Sequence, residues 1–100
     1  MKVCNEMKIC KEVVRALGKD ETLVQVMEEC SELQKECSKM FRNKGDRQAL
    51  VEEMGDVIIC LDYLRELYNI SNIEILDVVN RKNARSLTRL KNGTLSNRYR

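Results

Sequence analysis

Residues 46–74, which read DRQALVEEMGDVIICLDYLRELYNISNIE, decide the fold of this chain. Asp46 can cap a helix, and apolar residues then recur at helical spacing for about six turns. Asn69 suits the position just after a helix, and Ser71 with Glu74 forms the capping-box pattern that opens another. The stretch therefore predicts one helix that ends before Asn69 and a second that begins at Ser71.

Similar signals divide the rest of the chain. Gly18 suits the left-handed position after a first helix, and Asp20 can cap a second helix that closes at Gly45. Asn92 and Gly93 end the last helix. The four predicted helices span about residues 3–17, 20–43, 46–68 and 71–91, followed by a basic tail over residues 94–100. Because no strand-like alternation occurs, the predicted fold class is all-α, a four-helix subunit forming one domain over residues 1–100.

The composition argues against several classes of protein. The net charge of +2 is too small to indicate a nucleic-acid partner by itself, so none is expected. No apolar run approaches the roughly 20 residues that span a bilayer, and we expect neither a membrane segment nor a signal peptide. The five cysteines include no CxxC pair, so reduced thiols in a cytoplasmic protein are expected rather than disulfides or a metal site.

Two pairs of acids stand beside the apolar faces of the second and third predicted helices. At ~100° per residue, Glu29 and Glu32 lie along one edge of the second helix's apolar arc, and Glu36 follows them. Glu53 and Asp56 lie along the matching edge of the third. The apolar arcs contain Leu23, Val26, Met27, Cys30, Leu33, Cys37, Met40 and Phe41, and then Leu50, Val51, Met54, Val57, Ile58, Leu61, Leu64 and Tyr68. If the helices pack antiparallel, both acidic pairs come to a common place.

Such a group of carboxylates favours a hard metal ion. Clustered carboxylates at a core margin repel one another unless a cation neutralises them. The chain contains no histidine, so the clustered ligands are all oxygens, a set that favours Mg²⁺, with Mn²⁺ as a substitute. Glu36 would be an outer ligand or hold a water. The alternative is an ordinary solvated helix face, although Lys35 and Lys39 are expected on faces other than that of these acids.

A basic face follows on the fourth predicted helix. Lys82, Arg85 and Arg89 recur at i, i+3 and i+7, and Arg81 lies beside them. Together with a metal, such side chains suit a polyphosphate, because cations bridge its oxygens and the side chains take the remaining charge. The alternative is a basic helix end that the helix dipole favours.

The order and spacing of these motifs resemble the MazG-like all-α nucleoside triphosphate pyrophosphohydrolases. That family carries E-x-x-E, a gap and then E-x-x-D, which read here as Glu29-Cys-Ser-Glu32 and Glu53-Met-Gly-Asp56. The segment NRKNARSLTRL is similar to the basic segment in the family's last helix. The resemblance covers about residues 22–90, most of the chain.

The resemblance implies a helical fold that dimerises through an intersubunit four-helix bundle, often assembling further to tetramers. It also implies Mg²⁺-dependent hydrolysis of a nucleoside or deoxynucleoside triphosphate to the monophosphate and pyrophosphate. By position, the metal ligands would be Glu29, Glu32, Glu53 and Asp56, and the phosphate contacts Lys82 and Arg85. Thr22 and Gln25 stand where many members have Gln and Lys, which bears on how the base is recognised.

The expected reaction is attack of a metal-activated water on the α-phosphorus. Glu29 or Glu32 would accept its proton, and the sequence does not choose between them. Lys82, Arg85 or Arg89 would offset charge on the departing pyrophosphate. Two other functions are open: a non-catalytic dimerisation module that binds a protein partner, and a nucleic-acid-binding bundle that uses the basic fourth helix.

Overall fold

The computed structural model describes residues 7–93, and every regular element in that range is an α-helix. In chain order these are α1 (Met7–Phe41), α2 (Arg47–Tyr68) and α3 (Asn72–Lys91). The all-α class is confirmed for the described residues. The first residues of the first predicted helix and the predicted basic tail over residues 94–100 lie outside them.

The structure has three helices where the sequence predicts four, because the first two predicted helices join into α1. This 35-residue element is interrupted at Gly18, whose backbone is non-helical with φ 79° and ψ 174°. Gly18 therefore has the predicted positive φ, which a residue without a Cβ adopts most easily. Asp20, the predicted cap of the second helix, lies inside α1 two residues after the interruption.

The caps of α2 and α3 follow the sequence closely. The Asp46 side chain accepts a hydrogen bond from the Gln48 backbone N–H at 3.3 Å, and Asn69 ends α2 in the left-handed conformation. At the start of α3, the Glu74 N–H donates to the Ser71 hydroxyl, and the Ser71 N–H donates to the Glu74 carboxylate. These bonds hold the pKa of Glu74 below its ordinary value. The predicted caps of α2 and the predicted capping box of α3 are confirmed.

By its internal contacts the chain forms two compact units, Met1–Ile70 and Ser71–Arg100. In the first, α1 and α2 pack antiparallel, as the contact between the Cys60 thiol and the Gln25 carbonyl at 4.0 Å illustrates. Its most buried residues are Cys10, Val14, Thr22, Glu36, Cys60 and Asp62, and Asp62 is ion-paired with Arg65. Half of this buried set is polar. The single domain over residues 1–100 stays a prediction.

The predicted apolar arcs are only partly covered where α1 and α2 meet. Met27 is 62% exposed and Phe41 87% exposed on α1, and Val51, Met54 and Leu61 are exposed on α2. Two helices side by side bury only a narrow strip of each, which includes the fully buried Thr22, while Leu23, Val26 and Leu33 of the α1 arc are half-buried. The unit therefore keeps a broad apolar surface in contact with solvent.

The second unit contains α3. None of the described residues of this helix is buried, and Ile73 is 78% exposed. Leu76, Leu87 and Leu90 are also exposed. The helix is amphipathic, so its local caps define where it begins and ends while its apolar side remains accessible.

Two glycines should respond in opposite ways to the same substitution. Gly18→Ala should destabilise the protein by about 1–3 kcal/mol, because its φ and ψ lie in a region that only glycine populates readily. Gly55→Ala should be neutral or stabilising by up to about 1 kcal/mol, since Gly55 is helical and an added Cβ meets nothing within 4 Å. Urea unfolding monitored by circular dichroism measures both. Equal effects would show that the interruption at Gly18 is not a feature of the folded state.

Candidate metal centre

Three carboxylates from two helices converge across the α1–α2 interface. One oxygen each from Glu29, Glu53 and Asp56 lies within 4.8 Å of the others. Oxygens on opposite sides of one bound Mg²⁺ or Ca²⁺ are roughly 4–5 Å apart, so the three groups lie at a separation that a single cation bridges. The matching positions of the acids on the two helices predict that these carboxylates come together, since antiparallel packing sets Glu29 against the acids of α2.

Glu53 is the electrostatic centre of the group. Partial burial raises the pKa of its carboxyl above 4.5, and the charges of Glu29, Asp56, Glu32 and Glu36 raise it further. Its Oε2 atom is buried and has no hydrogen-bond partner. A buried carboxylate oxygen among four other acids is costly unless a proton or a cation neutralises it. This oxygen is the clearest indication that the position suits a bound cation.

Two neutral side chains, Gln25 and Cys60, lie near the carboxylates. The Gln25 amide donates to Oε2 of Glu29 at 3.4 Å, which leaves the other oxygen of Glu29 for a second partner. Burial raises the pKa of the Cys60 thiol to about 11, with further contributions from Glu29, Cys30 and Asp56. A thiol with this pKa is protonated at neutral pH, so Cys60 adds no negative charge here. Helical periodicity does not show which side chain holds a carboxylate, so the contact between Gln25 and Glu29 could not be predicted from the sequence.

Glu32, the fourth predicted ligand, is not part of the group of three. It lies one turn further along α1, and its carboxylate accepts a hydrogen bond from Lys35 at 3.5 Å. Glu36, another turn on, is buried and paired with Lys39 at 3.2 Å. The expectation that these two lysines lie on other faces is therefore wrong: flexible lysine side chains reach the acid three residues before them. Both acids still raise the pKa of Glu53, so they contribute to the negative field.

The predicted phosphate contacts all lie on α3. Lys82 and Arg85, together with Arg81, line a cavity of about 230 Å³. Arg81 also donates to Asp77 at 3.3 Å, an exposed pair that fixes its side chain only weakly. Arg89 follows Arg85 by one turn on the same exposed helix. The predicted basic face is thus present on α3, with Arg81 as an additional member.

The donor set decides what the centre can bind. All three converging groups are carboxylates, and the chain has no histidine. Hard cations such as Mg²⁺ and Mn²⁺ prefer such oxygen ligands, whereas zinc sites normally include nitrogen or sulfur. When a cation is held by three carboxylates, the remaining positions are open to water and to phosphate oxygens. The residues present therefore fit a divalent cation.

Comparison of this chain with protein-family models, with curated proteins and with solved structures finds no match. Within residues 7–93, no helix carries an apolar stretch long enough to cross a membrane.

Proposed function

We propose that this protein is a Mg²⁺-dependent nucleoside triphosphate pyrophosphohydrolase of the MazG-like type. The observation that carries the proposal is the meeting of Glu29, Glu53 and Asp56, with a buried and unpartnered oxygen on Glu53. The E-x-x-E and E-x-x-D motifs, in the order that the family shows, support the same reaction. The products would be a nucleoside monophosphate and pyrophosphate.

The acids would divide the work between holding a cation and moving a proton. Glu29, Glu53 and Asp56 would hold Mg²⁺, or Mn²⁺ in its place. A bound divalent ion supplies positive charge to the phosphate oxygens and lowers the pKa of a water molecule. Of the two candidate bases, Glu32 is favoured over Glu29, because Glu32 lies outside the group of three and its exposed contact with Lys35 leaves one carboxylate oxygen for a proton. Glu32 would also serve as a ligand if a second ion binds.

The basic residues of α3 would complete the substrate site. Lys82, Arg85 and Arg89 are assigned to the phosphates, where their charge would offset that of the departing pyrophosphate. Arg85 and Arg89 can each contact two phosphate oxygens at once, whereas Lys82 supplies a point charge.

Assembly into a homodimer or homotetramer is part of the proposal. α1 and α2 leave many large apolar side chains exposed, and self-association through an intersubunit four-helix bundle would cover them. The exposed arcs of both helices are the residues that such a bundle would bury. Cys30, Cys37 and Cys60 are free thiols, which fit the reducing conditions of the cytoplasm, to which we assign the protein.

The test is pyrophosphate release from a panel of eight NTPs and dNTPs, each at roughly millimolar concentration with Mg²⁺. Turnover of one or more, lost in Glu53→Gln and retained in Glu52→Gln, would establish the reaction and its preferred base. Glu52 is the matched control because it precedes Glu53 in the same helix, carries the same charge and is exposed. No turnover of any member by folded wild-type protein would overturn the proposal.

The exposed apolar surface also favours a second candidate, a non-catalytic helical module that dimerises or binds a protein partner. Under that function the acids would form a docking surface. Self-association without any effect of divalent metal on stability would select it, and metal-dependent stability would exclude it.

Glu32→Gln should separate proton transfer from cation binding. We expect turnover to fall at least about tenfold, because a proton acceptor typically contributes more than that. We expect the rise in melting temperature caused by Mn²⁺ to stay within a few degrees of wild type, since Glu32 is outside the group of three. Turnover and thermal melting of the same preparation measure both. If Glu32→Gln loses the metal effect as fully as Glu53→Gln does, Glu32 is a ligand of the first ion.

A further inference from the structure

A second concave site lies at the interruption of α1, within the same unit as the candidate metal centre. Its volume is about 460 Å³, and it is lined by Lys11, Val14, Arg15, Gly18, Lys19, Glu66 and Leu67. Cavities of roughly 300–1,000 Å³ accommodate small molecules of metabolite size. The interruption at Gly18 contributes to this shape, because the chain changes direction there without a side chain.

The lining combines two apolar side chains with three positive charges and one acid. Val14 is buried and Leu67 half-buried, whereas Lys11, Arg15 and Lys19 are exposed around them. The three cations recur every four residues, yet none forms an ion pair with any residue in the described part of the chain. Three like charges around one cavity repel one another, and an anion placed between them would relieve that repulsion.

Glu66 supplies the complementary feature. Its Oε1 atom is buried and has no hydrogen-bond partner, although the residue lines a cavity with three cations. A buried acceptor of this kind is satisfied by a donor that comes with a ligand. The occupant that fits would therefore carry negative charge for the cations together with an N–H or O–H group for Glu66.

We propose that this cavity binds a phosphate-bearing small molecule that also carries a hydrogen-bond donor, and that it does so without a divalent metal. Two sources share that chemistry: free hydrogen phosphate, whose own hydroxyl can donate, and a nucleoside monophosphate, whose planar base would pack against Val14 and Leu67. The site is separate from the candidate metal centre, since Glu66 follows Asp56 by ten residues, about 15 Å of helix rise. It is a binding site beyond the proposed hydrolysis and does not depend on it.

The experiment is isothermal titration of full-length protein with inorganic phosphate and, separately, with the four ribonucleoside monophosphates. EDTA and low ionic strength, about 0.02 M, remove the metal and preserve charge attraction. We expect saturable binding that weakens at least about tenfold in Arg15→Gln and in Lys11→Gln, because each loses a charge-assisted contact. Arg15→Lys should recover part of the loss. Lys44→Gln, the same charge change in the loop after α1, should shift the affinity less than about twofold.

The affinities for inorganic phosphate and for the nucleoside monophosphates show which of the two the cavity binds. Equal affinity for phosphate and for the monophosphates means that the phosphate group alone is bound, whereas tighter binding of a monophosphate means that its base packs against Val14 and Leu67. Binding that persists in Glu53→Gln does not need the metal centre, and its weakening in Arg15→Gln and Lys11→Gln assigns it to this cavity, so failure of the proposed hydrolysis does not affect the result. No saturable binding of any ligand to folded protein, or equal weakening in Lys44→Gln and Arg15→Gln, would overturn the proposal.

Discussion

Millimolar Mg²⁺ or Mn²⁺ will raise the melting temperature of the wild-type protein, and Glu53→Gln will abolish that rise. A ligand that binds only the folded state stabilises it, so a metal at about ten times its Kd should add about 5–10 °C for a chain of this size. Glu29→Gln and Asp56→Asn should also lose the effect, because each removes one of the three converging oxygens. Differential scanning fluorimetry across a metal titration measures it.

Neighbouring acids provide the controls for this first prediction. Glu28 precedes Glu29 and Glu52 precedes Glu53, and both are exposed, so Glu28→Gln and Glu52→Gln change the net charge equally outside the centre. The metal effect should survive in both. If the control variants lose the metal-induced rise in melting temperature equally, ion binding depends on overall charge and not on a site formed by Glu29, Glu53 and Asp56.

Without metal, Glu53→Gln should have the opposite effect and raise the melting temperature by a few degrees at neutral pH. The folded protein raises the pKa of Glu53, so between 4.5 and that raised value it binds more protons than the unfolded chain does. This group's contribution to stability is therefore complete below pH 4.5 and decreases as the pH rises through the folded pKa. Glutamine carries no charge, so the variant does not lose stability as the pH rises through the pKa of Glu53, and a neutral group stands beside Glu29 and Asp56. Melting in EDTA from pH 4 to 8 tests the sign, and a variant less stable than wild type at pH 8 would contradict it.

Substitution of the same carboxylates should reduce turnover far more than it changes stability. Glu53→Gln and Asp56→Asn should each lower kcat at least about 100-fold, because a cation held for catalysis contributes several kcal/mol at the transition state. Glu52→Gln should remain within about twofold of wild type, since Glu52 is exposed and is not one of the three converging carboxylates. Steady-state pyrophosphate release at saturating Mg²⁺ measures all three. Retention of more than a tenth of the activity in Glu53→Gln would remove this carboxylate from the reaction.

Local sequence predicts the ends of the helices because those ends are made by neighbouring residues. Asp46 reaches a backbone group two residues away, and Ser71 and Glu74 satisfy each other within one turn. The join at Gly18 is harder to predict from sequence. A positive φ at glycine is compatible both with the end of a helix and with an interruption inside one, and the sequence carries the same signal for either.

Which faces meet could not be predicted from apolar periodicity alone. The wheel of α1 places Met27 and Phe41 on the buried side, yet the face toward α2 carries Thr22 and Glu29. Periodicity reveals that a face is apolar without revealing what covers it, and an oligomer can bury it as well as the chain itself. Identical charges in matched positions on two helices are unusual, so the acids can be predicted from sequence. The separation of Glu32 from the group of three cannot, because it depends on where the side chains lie in the folded protein.

The most direct test of the central claim is where the oxygen of water ends after hydrolysis. Wild-type protein is incubated with Mg²⁺ and its preferred triphosphate in ¹⁸O-labelled water, and both products are analysed by mass spectrometry. Attack on the α-phosphorus predicts monophosphate and pyrophosphate with the label in the monophosphate alone, and no products above background in Glu53→Gln. Label in pyrophosphate, release of inorganic phosphate with a diphosphate, or no turnover by folded protein would contradict a metal centre built for this reaction.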